Sequence, residues 1–136
     1  MADKDLQEKV YMYRLLEARL DGLLKQRDLV LNKISEIQST IITLDEVEKK
    51  PETILIPLGS EAYAHGNVIA EKIIVEIGAG VALEKTLPDA KVILNNRKSE
   101  LNSAFADLQK EVMRTSQMMQ RLGPEIESMM KDSKAE

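Results

Sequence analysis

Apolar residues recur at alternating intervals of three and four positions between Leu6 and Leu44, in a stretch without proline. We call heptad positions a and d, counted from Leu6 and from Lys9, the seam, because they face the partner helix of a coiled coil. Over six heptads ten of the twelve seam positions are apolar, and only Lys9 and Arg27 are charged. A heptad pattern of this length is typical of a coiled coil. We therefore expect residues 1–49 to form one long helix, which needs a partner helix to cover its apolar stripe.

The pattern changes after Pro51, where short β-branched runs are separated by turn residues. Residues 53–58 and 72–77 are rich in isoleucine, which favours strands. Gly59-Ser60 follows the first run and Gly78-Ala79-Gly80 follows the second, and each can form a tight turn. Residues 50–86 are therefore predicted to form two successive β-hairpins.

A second heptad pattern begins at Leu87 and continues with leucine at positions 94, 101, 108 and 122. Thr86 can cap this helix, and Pro88 is tolerated in the first turn, where a backbone N–H group is not needed. We predict a C-terminal coiled-coil helix over residues 87–136. Because proline lacks an N–H donor and clashes with the preceding turn, Gly123-Pro124 should kink this helix or end its regular part.

The two helical segments are nearly equal in length, which predicts that they pair antiparallel within one chain. The fold class is then α+β, a long antiparallel helical coiled-coil hairpin with two β-hairpins inserted between the helices. The heptads leave two registers open, with Leu23 facing either Leu108 or Thr115. Arg27 on the seam is expected to reach towards water and to fix the register.

The predicted hairpins are too short to enclose a core of their own. Their apolar faces and unpaired strand edges would attract other chains. We therefore expect an oligomer in which the β segments of several chains form a shared sheet or β-barrel. The residues expected to carry this oligomerisation are Ile54, Ile56, Ile73, Ile74, Val75, Ile77 and Val81.

Composition excludes several classes of function. The chain has no cysteine and a single histidine, His65, so we expect no catalytic residues, no metal site and no cofactor. A net charge of −4 argues against nucleic-acid binding. The absence of a long apolar run and of a signal-peptide pattern predicts a cytoplasmic protein that has no membrane partner. Gly78-Ala79-Gly80 is no dinucleotide fingerprint, because Leu83 stands where the third glycine belongs.

The hairpin segment between two heptad helices resembles a known family. Residues 52–60 are similar to the first strand and turn of alpha-class prefoldin subunits, and residues 77–86 are similar to their second hairpin turn. The order of helix, two hairpins and helix also matches, so that the resemblance covers essentially the whole chain. The Gly-Ala-Gly turn is closer to archaeal than to eukaryotic members.

This resemblance implies a molecular chaperone and not an enzyme. It implies a hexamer of two alpha-class and four beta-class subunits, whose coiled-coil tips hold non-native polypeptides without ATP. These clients would be passed to a group II chaperonin. The alternative is a self-assembling structural or filament-forming protein of the gamma-prefoldin type, which would bury the same strand edges against copies of itself.

Apolar residues at the ends of both helices are the candidates for client binding. Met119 and Met129 fall on the seam, where methionine can fill gaps in a core. Met113, Met118 and Met130 fall off it, where an adaptable apolar side chain suits contact with clients. The full predicted set is Leu6, Val10, Tyr11, Met12, Tyr13, Met113, Met118, Met119, Leu122, Ile126, Met129 and Met130.

Overall fold

The computed structural model describes residues 2–135 and consists of two long helices with two small antiparallel β-hairpins between them, which confirms the predicted α+β class. The hairpins form two separate two-stranded sheets, β1 with β2 and β3 with β4. In chain order the elements are α1 (Ala2–Glu48), β1 (Ile54–Gly59), β2 (Ala62–Gly66), β3 (Ile73–Gly78), β4 (Val81–Lys85) and α2 (Leu87–Ala135).

The two hairpins are built in the same way. Each has a two-residue loop in which both residues have positive φ: Ser60 (48°) and Glu61 (63°) in the first, Ala79 (53°) and Gly80 (75°) in the second. Such loops match the right-handed twist of the strands that they join. In both hairpins the strand register shifts by one residue just before the turn.

The start of α2 follows the predicted cap, since the backbone N–H of Asp89 donates to Oγ1 of Thr86 at 3.4 Å. Pro124, however, lies inside α2, which continues to Ala135. The structure contradicts an end of the regular helix at Gly123-Pro124, and the alternative of a kink there stays a prediction. A proline removes one backbone hydrogen bond, but the helix continues beyond it, where Ile126 is half-buried.

The chain divides into two compact units. We call Met1–Asn32 with Asn102–Glu136 the terminal unit and Lys33–Leu101 the hairpin unit. In the terminal unit, Nζ of Lys9 lies 2.9 Å from Oε2 of Glu125, and Nη2 of Arg19 lies 2.9 Å from Oε2 of Glu111. An early residue of α1 thus meets a late residue of α2, so the helices in this unit are antiparallel.

The hairpin unit contains a small apolar core. Here α1 and α2 also run antiparallel, since Lys98 Nζ donates to Oε1 of Gln38 at 2.8 Å. The segment before β3 is tied to the start of α2, because the backbone N–H of Leu87 donates to the carbonyl oxygen of Ala70 at 2.7 Å. The buried residues of the core are Leu44, Val47, Val75, Leu87 and Ala90, with Ile54, Ala70, Ile73, Ile93 and Leu94 partly buried against them.

Candidate interaction surfaces

The terminal unit exposes large apolar side chains from both helices. Tyr11 on α1 is 65% exposed and Met113 on α2 is 62% exposed. Met12, Met118 and Met130 are also exposed. All five were predicted from their positions off the seam. The remaining predicted client residues are half-buried: Leu6, Val10, Tyr13, Met119, Leu122, Ile126 and Met129.

An open groove of about 340 Å³ brings some of these residues together. The aromatic ring of Tyr11 and the side chains of Leu6 and Val10 come from α1, and Met130 comes from α2. Gln7 and Arg14 complete the lining and supply its polar groups. The groove can therefore accept an apolar group while it offers hydrogen-bond donors beside it.

The exposure of the described methionines follows their heptad positions. Met119 and Met129, which lie on the seam, are half-buried, whereas Met12, Met113, Met118 and Met130, which lie off the seam, are exposed. Met118 also lines a shallow crevice beside Leu16 and Thr115. Because a thioether side chain has three rotatable bonds, exposed methionine adapts to apolar surfaces of different shapes.

Polar residues of the seam also pair across the helices. Arg27 is half-buried and its Nη1 donates to Oε1 of Gln109 at 3.3 Å. Nη2 of the same guanidinium lies 3.7 Å from Asp28, while its Nε is buried without a protein partner. A buried guanidinium disfavours other pairings of the two helices only when the native pairing supplies its hydrogen-bond partners.

The hairpin unit exposes four of the seven residues that we predicted for oligomerisation: Ile56, Ile74, Ile77 and Val81. Val75 corrects the expectation, since it is 7% exposed and belongs to the core of its own chain. Ile54 and Ile73 are partly buried against that core. The helix ends cover one side of the strands, which the strand pattern alone did not reveal.

The sequence analysis missed other exposed apolar residues of the hairpins. Strict alternation within each strand would have found Leu55 and Tyr63, which stand on the face opposite Ile54 and Ile56. Leu83 of β4 pairs with Val75 and so lies on the same face of its hairpin, yet it is 41% exposed. Leu58 lies beside the bulge of β1. The exposed apolar surface of the hairpins is thus larger than predicted.

Polar contacts hold the helix ends and the second hairpin in place. Lys91 of α2 forms ion pairs with Asp45 of α1 at 2.5 Å and with Glu48. The hydrogen bonds to Asp45 and Glu48 raise the pKa of the Lys91 ammonium above its usual value. Arg97 donates through Nη2 to the backbone carbonyl oxygen of Glu76 in β3.

Within residues 2–135 the acidic and histidine side chains form no cluster of three that could hold a metal ion. Neither helix in this range has a stretch apolar enough to cross a membrane.

Comparison with known proteins identifies the family. The family model described as "Prefoldin subunit" matches residues 16–132, which include both hairpins and most of both helices. The chain belongs to the prefoldin family. The resemblance seen in the strand and turn residues of the hairpins is thereby confirmed.

Archaeal alpha subunits of prefoldin are similar to the chain over most of their length. The prefoldin subunit alpha of Methanococcoides burtonii is 31% identical over 110 residues, which cover 79% of this chain and 80% of the relative. That of Pyrococcus horikoshii is 30% identical and covers 88% of this chain and 90% of its own. These values support the alpha-class assignment, since the match extends through the segment that holds both hairpins.

A solved prefoldin structure supports the fold. The cryo-EM structure of filamentous PFD from Methanocaldococcus jannaschii superposes with a TM-score of 0.70 and covers 88% of this chain and 98% of that one. The two sequences are 20% identical, so this likeness concerns the fold alone. It supports the architecture of two long helices with intervening hairpins.

Proposed function

We propose that the chain is a subunit of an ATP-independent holding chaperone, which binds non-native polypeptides at the paired helix ends of its terminal unit. The observation that carries this proposal is the exposure of Tyr11, Met12, Met113, Met118 and Met130, from both helices, in a member of the prefoldin family. Large apolar side chains on a surface are typical of binding sites for other polypeptides.

The driving force of this binding is apolar contact. Covering the exposed side chains with a client's own apolar residues contributes about 25 cal/mol per Å² removed from water. Such contacts need no nucleotide, and they should survive raised salt because ionic screening weakens only charge–charge attraction. The unfolded client supplies the apolar surface that a folded protein hides.

Assembly with other prefoldin subunits is the second part of the proposal. The two hairpins expose apolar faces and strand edges, and sheets of this size pair readily with strands of another chain. Family membership favours a hexamer in which two such alpha-class chains join four beta-class subunits through a shared β-barrel. Assembly also brings several helix-end surfaces to one client, which raises its apparent affinity.

Transfer of the client to a group II chaperonin in the cytoplasm completes the proposed function. Weak apolar contacts suit a transfer step, because each contact breaks on its own and the client can be released progressively. This step rests on family membership alone.

The test is a truncation within the assembled complex. Deleting residues 1–12 and 123–136 removes the groove lining of Leu6, Val10, Tyr11 and Met130 but leaves the hairpin unit whole. We expect an oligomer of the corresponding mass that no longer suppresses the aggregation of a denatured protein, measured by light scattering without ATP at low and high salt.

The matched control is the full-length complex with Ile42→Gln, which alters an exposed apolar residue of the hairpin unit. This complex should protect as well as the unmodified one. Full protection by the truncated complex would contradict client binding in the helix-end groove and leave Met113, Met118 or the hairpins as the binding surface.

A filament-forming function is the second candidate. The observation in its favour is the shared fold with a filamentous PFD at a TM-score of 0.70. Native mass spectrometry of the purified chain, alone and with a beta-class subunit, discriminates the two. Growing homo-oligomers from the chain alone would favour the filament, and a closed complex that forms only with the beta-class subunit would favour the chaperone.

A further inference from the structure

The outer side of α1 in the terminal unit carries a second line of mainly apolar and small residues. Positions 15, 22 and 29 share one heptad position, and positions 11, 18 and 25 share the neighbouring one, both away from the seam; Lys25 is the charged residue among them. We call this set the outer stripe: Tyr11, Leu15, Ala18, Gly22 and Leu29. Leu15 is 48% exposed, Leu29 is 69% exposed, and the small residues between them are exposed as well.

The outer stripe is continuous with the helix-end groove. Tyr11 belongs to both, and Arg14 of the groove lies one residue before Leu15. From Tyr11 to Leu29 the stripe runs along about 27 Å of helix. Lys25 lies on this line between Gly22 and Leu29, and its ammonium is paired with Asp21 at 3.0 Å. An apolar segment seated in the groove can therefore continue along α1 and meet no unpaired charge on the stripe itself.

We propose that the outer stripe extends the client-binding surface, so that an extended apolar segment of an unfolded polypeptide bound in the helix-end groove also contacts Leu15 and Leu29. This inference rests on the proposed function and deepens it. Ala18 and Gly22 leave a shallow path between the two leucines, because a Cβ placed at Gly22 would meet nothing within 4 Å.

The size and pattern of the stripe favour an unfolded client over a second folded subunit. Three large side chains, each about half exposed, offer on the order of 300 Å² of apolar surface. A stable interface buries roughly 800 Å² on each partner. A partner helix would also need an apolar residue about every 3.5 positions, whereas the stripe has no large apolar side chain between Leu15 and Leu29. Weak contact with a flexible chain fits these features.

The test uses the assembled oligomer and two probes. The long probe is fluorescently labelled α-lactalbumin that has been reduced and carboxymethylated so that it stays unfolded. The short probe is a labelled leucine-rich pentapeptide, which spans about 17 Å when extended and so can occupy the groove but not the whole stripe. The variant is Leu15→Gln with Leu29→Gln, since glutamine keeps helix propensity. Ile42→Gln is the matched control.

We expect the double variant to bind the long probe about tenfold more weakly and the pentapeptide as tightly as the unmodified complex does. Leu29→Gln alone should show part of the loss, with helicity unchanged by circular dichroism, and the Ile42→Gln control should show none. Unchanged binding of the long probe by the double variant would overturn the inference and leave the proposed function standing.

Two further outcomes would also overturn the inference. If the unmodified complex binds neither probe, the proposed function is wrong, and the outer stripe cannot be an extension of a client-binding surface. If native mass spectrometry shows that the double variant assembles into a smaller complex, the stripe is a contact between subunits.

Discussion

The seam of α1 is mostly buried in the hairpin unit but mostly half-buried in the terminal unit, although the heptad pattern is the same in both. In the hairpin unit Ile37, Ile41 and Leu44 are buried and Ile34 is half-buried. In the terminal unit Tyr13 and Leu20 are half-buried, and Leu16 is the buried exception. Leu44 packs in a core with Val75 of β3, whereas Ile37 and Ile41 lie outside that core, so strand residues account for only part of the difference.

This difference suits two kinds of function. In the hairpin unit, Val75 packs with residues from both helices, so that the unit has a core, while Ile42 and Val92 of its helices and the hairpin faces stay exposed. In the terminal unit large apolar side chains such as Tyr11 and Met113 stay exposed. The heptad pattern therefore specifies pairing, while the strands add a core in the hairpin unit.

The largest effect should come from Ile74→Glu in β3. Ile74 is 68% exposed and its neighbour Val75 belongs to the core, so a charge at position 74 spares the chain's own packing. A buried, unpaired carboxylate in a subunit contact is strongly unfavourable. We expect loss of the oligomer on size-exclusion chromatography, with helicity by circular dichroism close to that of the unmodified chain.

Ile42→Gln serves as the control for Ile74→Glu, because it also makes an exposed apolar position of the hairpin unit polar. It should leave the oligomer intact. An oligomer of unchanged size and stability with Glu at position 74 would contradict the assignment of assembly to β3.

The next effect compares the two units directly. Leu87→Ala should lower the free energy of unfolding by about 3 kcal/mol, because it opens a cavity at a side chain that is 2% exposed. Leu20→Ala in the terminal unit should cost about 1 kcal/mol, because Leu20 is half-buried and its surroundings can relax. Urea unfolding at equal subunit concentration measures both, and native-state hydrogen exchange shows which unit opens. Equal losses would mean that the terminal seam is as well packed as the core.

The smallest effect concerns Lys91. Its pKa is raised in the folded chain above the usual value of 10.5 by Asp45 and Glu48. The stabilisation that it provides is therefore fully present below about pH 10.5 and is lost as pH rises through the higher pKa of the folded state. The unmodified chain should be slightly more stable than Lys91→Gln at pH 8, and this advantage should shrink above pH 10.5.

The comparison of Lys91→Gln with the unmodified chain isolates this contribution, since Lys49, whose pKa is raised by Glu46, is present in both. Lys33→Gln is the control, because Lys33 pairs with Glu36 of the same helix and joins no second element. Urea midpoints from pH 8 to pH 11.5 would show the effect. A stability difference that stays constant over this range would exclude the assigned role of the ammonium charge.

Much of the fold could be predicted from residue patterns. The heptads from Leu6 and from Leu87, the Thr86 cap and the turns at Gly59 and Gly78 are local signals, and the structure follows each of them. The off-seam methionines could be predicted as exposed because exposure follows directly from heptad position. The continuation of α2 through Pro124 to Ala135 contradicts the predicted end of the regular helix, because the local cost of a proline does not by itself decide where a helix ends.

The sequence by itself determined the two helices, the two hairpins between them and the family, because these depend on periodicity, capping and turn residues that act over short distances. Only the tertiary structure decided that Val75 belongs to the chain's own core while Ile74 remains exposed. It also decided that Tyr11 and Met130 share one groove. Both outcomes depend on which residues distant in sequence come into contact. The alternation of a strand and the heptad spacing of a helix do not contain this information.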